Sequence, residues 1–171
     1  NIGISFIVLS GKDPLLCREV IKNAALTKNA IFPIFTSGEL INKEYAAVFD
    51  KYRNLVPFIS ADGRNRAALF LKMENILFGC TINVKAENIL EVTSEKFISE
   101  LYSNGCRIVF FTEDKPFQNT LTDKERALLE ARQQNLKSKF ENVLFFSFPA
   151  DEALAGGCLA AGKGFIYINS R

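Results

Sequence analysis

Ile4-Ser5-Phe6-Ile7-Val8-Leu9-Ser10-Gly11-Lys12-Asp13-Pro14-Leu15-Leu16 is the stretch from which the rest of the chain can be read. An apolar run broken only by Ser5 enters a polar loop that holds a glycine and a proline, and a helical pattern follows. That is a buried strand emptying into a tight turn, because glycine accepts a positive φ and proline favours a first helical turn. In α/β proteins, ligands sit beyond the carboxyl ends of parallel strands, where loop amides and helix N-termini converge. The loop is therefore a candidate site, although the same residues also serve a plain strand-to-helix turn.

The unit recurs downstream. Residues 15–27 place Leu16, Val20, Ala24 and Ala25 on one helical face, with Cys17 beside it. Residues 31–35 form a second buried strand, whose proline marks a strand start or an irregularity, and Thr36-Ser37-Gly38 ends it. Asn42 is placed to cap a helix over 43–52 that carries Tyr45, Val48, Phe49 and Tyr52 on one face. The strand over 55–59 then ends in Ser60-Ala61-Asp62-Gly63, so a third polar loop joins the same rim.

A short helix over 64–73 leads to a strand over 76–84, a loop over 84–93 containing Asn88, and a helix over 94–103 stopped by Gly105. That helix points Phe97, Ile98 and Leu101 inward. Residues 106–111 read as a strand and 112–121 as a loop able to cover the rim. Thr122-Asp123-Lys124-Glu125 is a capping box that opens the longest helix, with Leu128, Leu129, Arg132 and Leu136 along one side. A strand over 143–148 follows. Such alternation, with crossovers long enough for helices, predicts a parallel sheet. Periodicity fits an open or partly closed barrel and a doubly wound sheet equally well.

Composition narrows the classes. With 171 residues, 48% of them hydrophobic, the chain can bury one core. The net charge of +2 comes from dispersed residues, which argues against a nucleic-acid partner. The apolar run over residues 2–9 falls well short of the roughly 20 residues that span a bilayer, so no membrane partner and a cytoplasmic location are expected. The sequence begins at Asn1 inside an apparent folded element and reads as a piece of a longer chain. Without histidine there is no imidazole base and no histidine-bound metal. Cys17, Cys80, Cys106 and Cys158 stand singly, and three of them are expected to pack as small hydrophobes.

Taken together, the loops resemble the radical S-adenosylmethionine (SAM) superfamily, particularly members with a SPASM or twitch auxiliary-cluster tail. Ser10-Gly11-Lys12-Asp13-Pro14-Leu15-Leu16 is similar to that family's Gly-Gly-Glu-Pro loop, with Lys12 at the second glycine and Asp13 at the glutamate. Phe35-Thr36-Ser37-Gly38 is similar to its Thr-Asn-Gly turn, and Ile59-Ser60-Ala61-Asp62-Gly63 to its fourth-strand end. The segment Gly156-Gly157-Cys158 through Asn169 resembles the start of the auxiliary tail.

The resemblance implies a partial (β/α)6 TIM-like barrel over residues 1–149, lacking the first strand and the cluster loop, with residues 150–171 opening the tail. It implies SAM across the carboxyl ends of the strands, facing Gly11, Lys12, Asp13, Pro14, Ser37, Ser60 and Asp62. Cys158 would ligate an auxiliary iron-sulfur cluster. The Cys-x-x-x-Cys-x-x-Cys loop that holds the catalytic [4Fe-4S] cluster would precede Asn1. In a longer parent, the implied function is generation of a 5′-deoxyadenosyl radical, acting on an unidentified peptide or small molecule. The piece alone is expected to bind no cofactor and to be inactive. A second reading is a radical-SAM-like module without chemistry that recognises a peptide, protein or nucleotide. A third is an unrelated flavodoxin-like domain holding phosphate at Thr36, Ser37 and Gly38.

Overall fold

The computed structural model describes residues 6–61, 66–113 and 121–147. Five strands, β1 (Phe32–Thr36), β2 (Leu55–Ser60), β3 (Gly79–Val84), β4 (Ile108–Glu113) and β5 (Leu144–Ser147), form one sheet in sequential order. Every neighbouring pair is parallel. Between them run α1 (Arg18–Leu26), α2 (Lys43–Lys51), α3 (Arg66–Met73), α4 (Ile89–Val92), α5 (Glu95–Ser103) and α6 (Asp123–Lys139). A doubly wound sheet reverses its strand order at a switch point; these strands do not. Because parallel crossovers share one hand, a sequential order keeps the helices on one face.

The packing follows that division. Ile34, Ile59, Ile82, Val109 and Phe111 on the sheet join Ile21, Phe49, Leu71, Ile98, Leu129 and Leu136 from the helices in the larger core. Each such side chain contributes about 1.5–3 kcal/mol on burial. Val56, Phe58 and Phe110, with Phe35 and Ile108 against them, form a separate cluster on the other face. Phe110 lies 5.4 Å from Phe35, 6.2 Å from Phe58 and 5.9 Å from Phe146, measured between ring centroids. Gly79 sits beneath this layer: a Cβ there would meet two Phe58 ring carbons at 2.5 and 2.7 Å and the Ile108 carbonyl at 2.9 Å.

Residues 6–9 run parallel to β1, but only through isolated bridges at Phe6–Ile31 and Leu9–Ile34. Ile7 donates to the Ile31 carbonyl, Leu9 to that of Pro33, and Phe35 to that of Leu9. Pro33 has no N–H for the remaining bond on that side, so the opening run is a leader beside the sheet and not a full strand. Pro57 has a similar effect in β2, whose pairing with β3 begins only at Phe58.

Helix starts agree closely with their caps. Asn42 accepts from Tyr45 N at 3.1 Å, Ser94 from Phe97 N at 3.2 Å, and Thr122 and Glu125 form the reciprocal capping box. The opening helix differs from expectation. Pro14–Leu16 is a single 3-10 turn, and α1 begins only after Cys17. This break resets the phase, burying Leu15 and Ile21 while leaving Leu16 and Val20 at 62% and 42% exposure. Cys17 is exposed, whereas Cys80 and Cys106 lie in the core. The expected loop at 84–93 contains α4, and Asn88 builds the turn before it by accepting from Lys85 N and donating to the Asn83 carbonyl. On α6, Gln133 is buried where the sequence had favoured Leu128 and Arg132.

Candidate functional site

Three chain segments meet at the carboxyl end of the sheet, and Asp13 joins two of them. Its Oδ1 accepts from Leu15 N at 3.1 Å, capping the 3-10 turn. Its Oδ2 accepts from the Thr36 hydroxyl at 2.8 Å and from both the amide and the hydroxyl of Ser37 at 3.2 Å. Thr36 Oγ1 accepts in turn from Gly38 N, and Ser37 Oγ from Glu39 N. One carboxylate thus fastens the loop after the leader to the loop after β1. Ionised acceptors make the stronger hydrogen bonds, which suits a residue that must hold two turns together.

Gly11 precedes this clasp at φ +130°, a backbone region that side chains with a Cβ rarely adopt. Lys12 is exposed, and Pro14 opens the 3-10 turn. Ser60, at the last position of β2, is half-buried and lies in register with Thr81. Of the residues implied by the resemblance, the structure therefore joins Asp13 directly to Ser37 and sets Ser60 at a strand end on the same rim. Asp62 and Cys158 lie outside the described residues.

Tyr45 supports the rim from below, its hydroxyl donating to the Leu15 carbonyl. Burial pushes this phenol above its ordinary pKa of 10.0; Arg18 opposes that rise, while Glu44, Asp13 and Cys17 add to it. The folded state therefore holds the proton that the unfolded chain releases. This contribution is complete below about pH 10 and is lost as pH rises through the folded pKa. Urea unfolding followed against pH should show stability falling in that alkaline window, and Tyr45→Phe should make the fall shallower. An unchanged slope in the variant would count against the hydroxyl as its source.

Further along the rim, Glu113 at the end of β4 accepts from Leu121 N at 2.6 Å and pairs with Arg126 at 3.1 Å, which anchors the start of α6. Sequence reasoning missed Thr81, Asn83 and Thr112. By strand alternation they share the face of Ser60 and Phe110, towards the carboxyl ends of β3 and β4. The available signal was the pair of polar residues two apart in Gly79-Cys80-Thr81-Ile82-Asn83-Val84. Thr112 donates to the Ile82 carbonyl at 3.3 Å. Asn83 Oδ1 is buried and has no hydrogen-bond partner among the described residues.

Neither a protein-family model nor a curated protein matches the chain. Solved structures do. The crystal structure of Streptococcus suis SuiB bound to S-adenosylmethionine aligns over 83% of this chain with a TM-score of 0.64 and 11% identity. Native anSMEcpe with bound AdoMet and the Kp18Cys peptide aligns over 91% with a TM-score of 0.62 and 15% identity. The same protein with AdoMet and the Cp18Cys peptide aligns over 94% at 14% identity. This chain has their fold. It spans 39% of the SuiB chain and 54% of the anSMEcpe chains.

Proposed function

We propose that the chain is the core of a radical SAM protein, a partial (β/α)6 barrel whose carboxyl rim seats S-adenosylmethionine. The observation that carries this reading is the Asp13 clasp between two loops at the carboxyl end of a sequential parallel sheet. Solved structures bearing S-adenosylmethionine share that fold. In this reading the backbone of residues 11–14 receives the methionyl end, while Ser37, Ser60 and Asp62 take the polar groups beside it. Asp13 acts by positioning, because its carboxylate is already engaged by Leu15, Thr36 and Ser37.

The iron-sulfur cluster of that chemistry does not fit the described residues. Among them no group of three or more histidine, cysteine, aspartate or glutamate side chains could hold a metal ion. Cys80 and Cys106 are packed in the core and Cys17 faces outward. The part proposed for this chain is to bind and orient SAM through its own loops, a reading that departs from the expectation that the piece alone binds no cofactor, with Cys158 proposed as a tail ligand in a longer parent. No helix among the described residues is long and apolar enough to cross a membrane. The substrate proposed is a peptide or small molecule approaching the same rim.

A non-catalytic binding module is the second reading, favoured by the exposed Lys12 in the loop. Titrating the 15N-labelled chain with SAM tests the first. Saturable movement of the backbone amide signals of residues 10–14 and 36–38 is expected. Signals that stay still at millimolar SAM would remove the SAM reading and leave the module.

A further inference from the structure

We propose that Asn83 is a ligand-contacting residue, taking a neutral hydrogen-bond donor, N–H or O–H, from a molecule seated at the carboxyl ends of β2, β3 and β4. Its Oδ1 is withdrawn from solvent and has no hydrogen-bond partner among the described residues. A buried amide oxygen without a donor is a standing cost to folding, and proteins satisfy most such groups. Asn83 stands in register with Thr112, while Thr81, two residues earlier on the same face, is in register with Ser60. Successive positions on one face of a strand are about 7 Å apart, so the row presents carboxamide and hydroxyl groups in two steps. Ser60, Thr81, Asn83 and Thr112 are all uncharged, and the row has nothing to neutralise a phosphate or carboxylate. An amide or hydroxyl donor is what it complements.

Neither the clasp at Asp13 nor the fold explains Asn83. An apolar residue of similar shape would serve the sheet better, since it would remove the unpaired acceptor. The inference relies on the SAM reading only for the end of the sheet at which the ligand sits. Two sources could supply the donor, the nucleoside part of SAM or the backbone amide of a peptide substrate.

The test uses the side-chain amide resonance of Asn83 in the 15N-labelled chain, assigned by its loss in Asn83→Leu. SAM, adenosine, the capped peptide N-acetyl-alanyl-alanyl-alanine amide and inorganic phosphate are titrated separately. We expect a saturable shift with at least one neutral probe and none with phosphate. A response to both adenosine and SAM identifies the nucleoside, whereas a response to the peptide alone identifies the second ligand. Asn83→Leu should weaken binding of the responding probe at least 10-fold while raising Tm by a few degrees. No shift with any probe, a shift with phosphate only, or undiminished binding in Asn83→Leu would each overturn the assignment. SAM that moves residues 10–14 while neither it, adenosine nor the peptide moves Asn83 overturns this inference alone. A shift with adenosine or peptide in a chain that does not bind SAM overturns the SAM reading alone.

Discussion

Gly79→Ala is expected to destabilise the chain by about 3 kcal/mol, at the upper end of the usual cost of overpacking a core. The added methyl would overlap Phe58 ring carbons at 2.5 and 2.7 Å and crowd the Ile108 carbonyl at 2.9 Å. Neither neighbour has room to retreat. Phe58 is 2% exposed and lies against Phe35 and Phe110, while the Ile108 carbonyl belongs to the adjacent strand. The chain has no tryptophan, so urea unfolding is best followed by far-UV circular dichroism. Phe58→Leu supplies the control. With the ring carbons gone, adding Gly79→Ala should cost clearly less than in the parent, leaving mainly the carbonyl contact. Strictly additive losses would place the strain elsewhere.

Asp13→Ala has the second-largest expected effect, a loss of about 2 kcal/mol from a cap and an anionic acceptor removed together. Thr36, a buried residue, and Ser37 would both lose the acceptor their hydroxyls use. Asp13→Asn should fall between parent and alanine, because one oxygen can still accept while the amide nitrogen faces donors. The measurement is the unfolding midpoint, read beside the backbone amide signals of residues 36–38. Movement of those signals in the alanine variant is expected even without ligand. Signals unchanged from the parent would show that the second loop is held by something other than the carboxylate.

The elements that sequence made legible were those whose causes are local. Asn42, Ser94 and the Thr122–Glu125 box each act within one helical turn, so their spacing alone locates a helix start. The burial of Leu15 and Ile21 in place of Leu16 and Val20 was not legible, because irregular backbone at Cys17 shifts the first half of the apolar stripe, while Ala24 and Ala25 are buried as their spacing implied. Strand order was equally hidden. Periodicity records which residues face inward, not which strand lies beside which, and only the paired strands separate a sequential sheet from a doubly wound one.

At the rim, glycine, proline and polar strand ends marked the loops, but the partner of Asp13 lay 23 residues away. Thr81 and Asn83 were masked by the apolar residues around them, since a strand with both faces covered reads as one continuous run. Recognising them required the register of β3 against its neighbours.

The leader at residues 6–9 touches β1 through two isolated bridges, beside a proline that cannot complete the ladder. Regions held by few hydrogen bonds open before the body of a domain does. The leader also carries the loop whose Asp13 closes on Thr36 and Ser37. Undocking of this edge and disassembly of the rim are then a single event. Any molecule that bridges the two loops draws on that local opening equilibrium, and its affinity includes the free energy of keeping the leader in place.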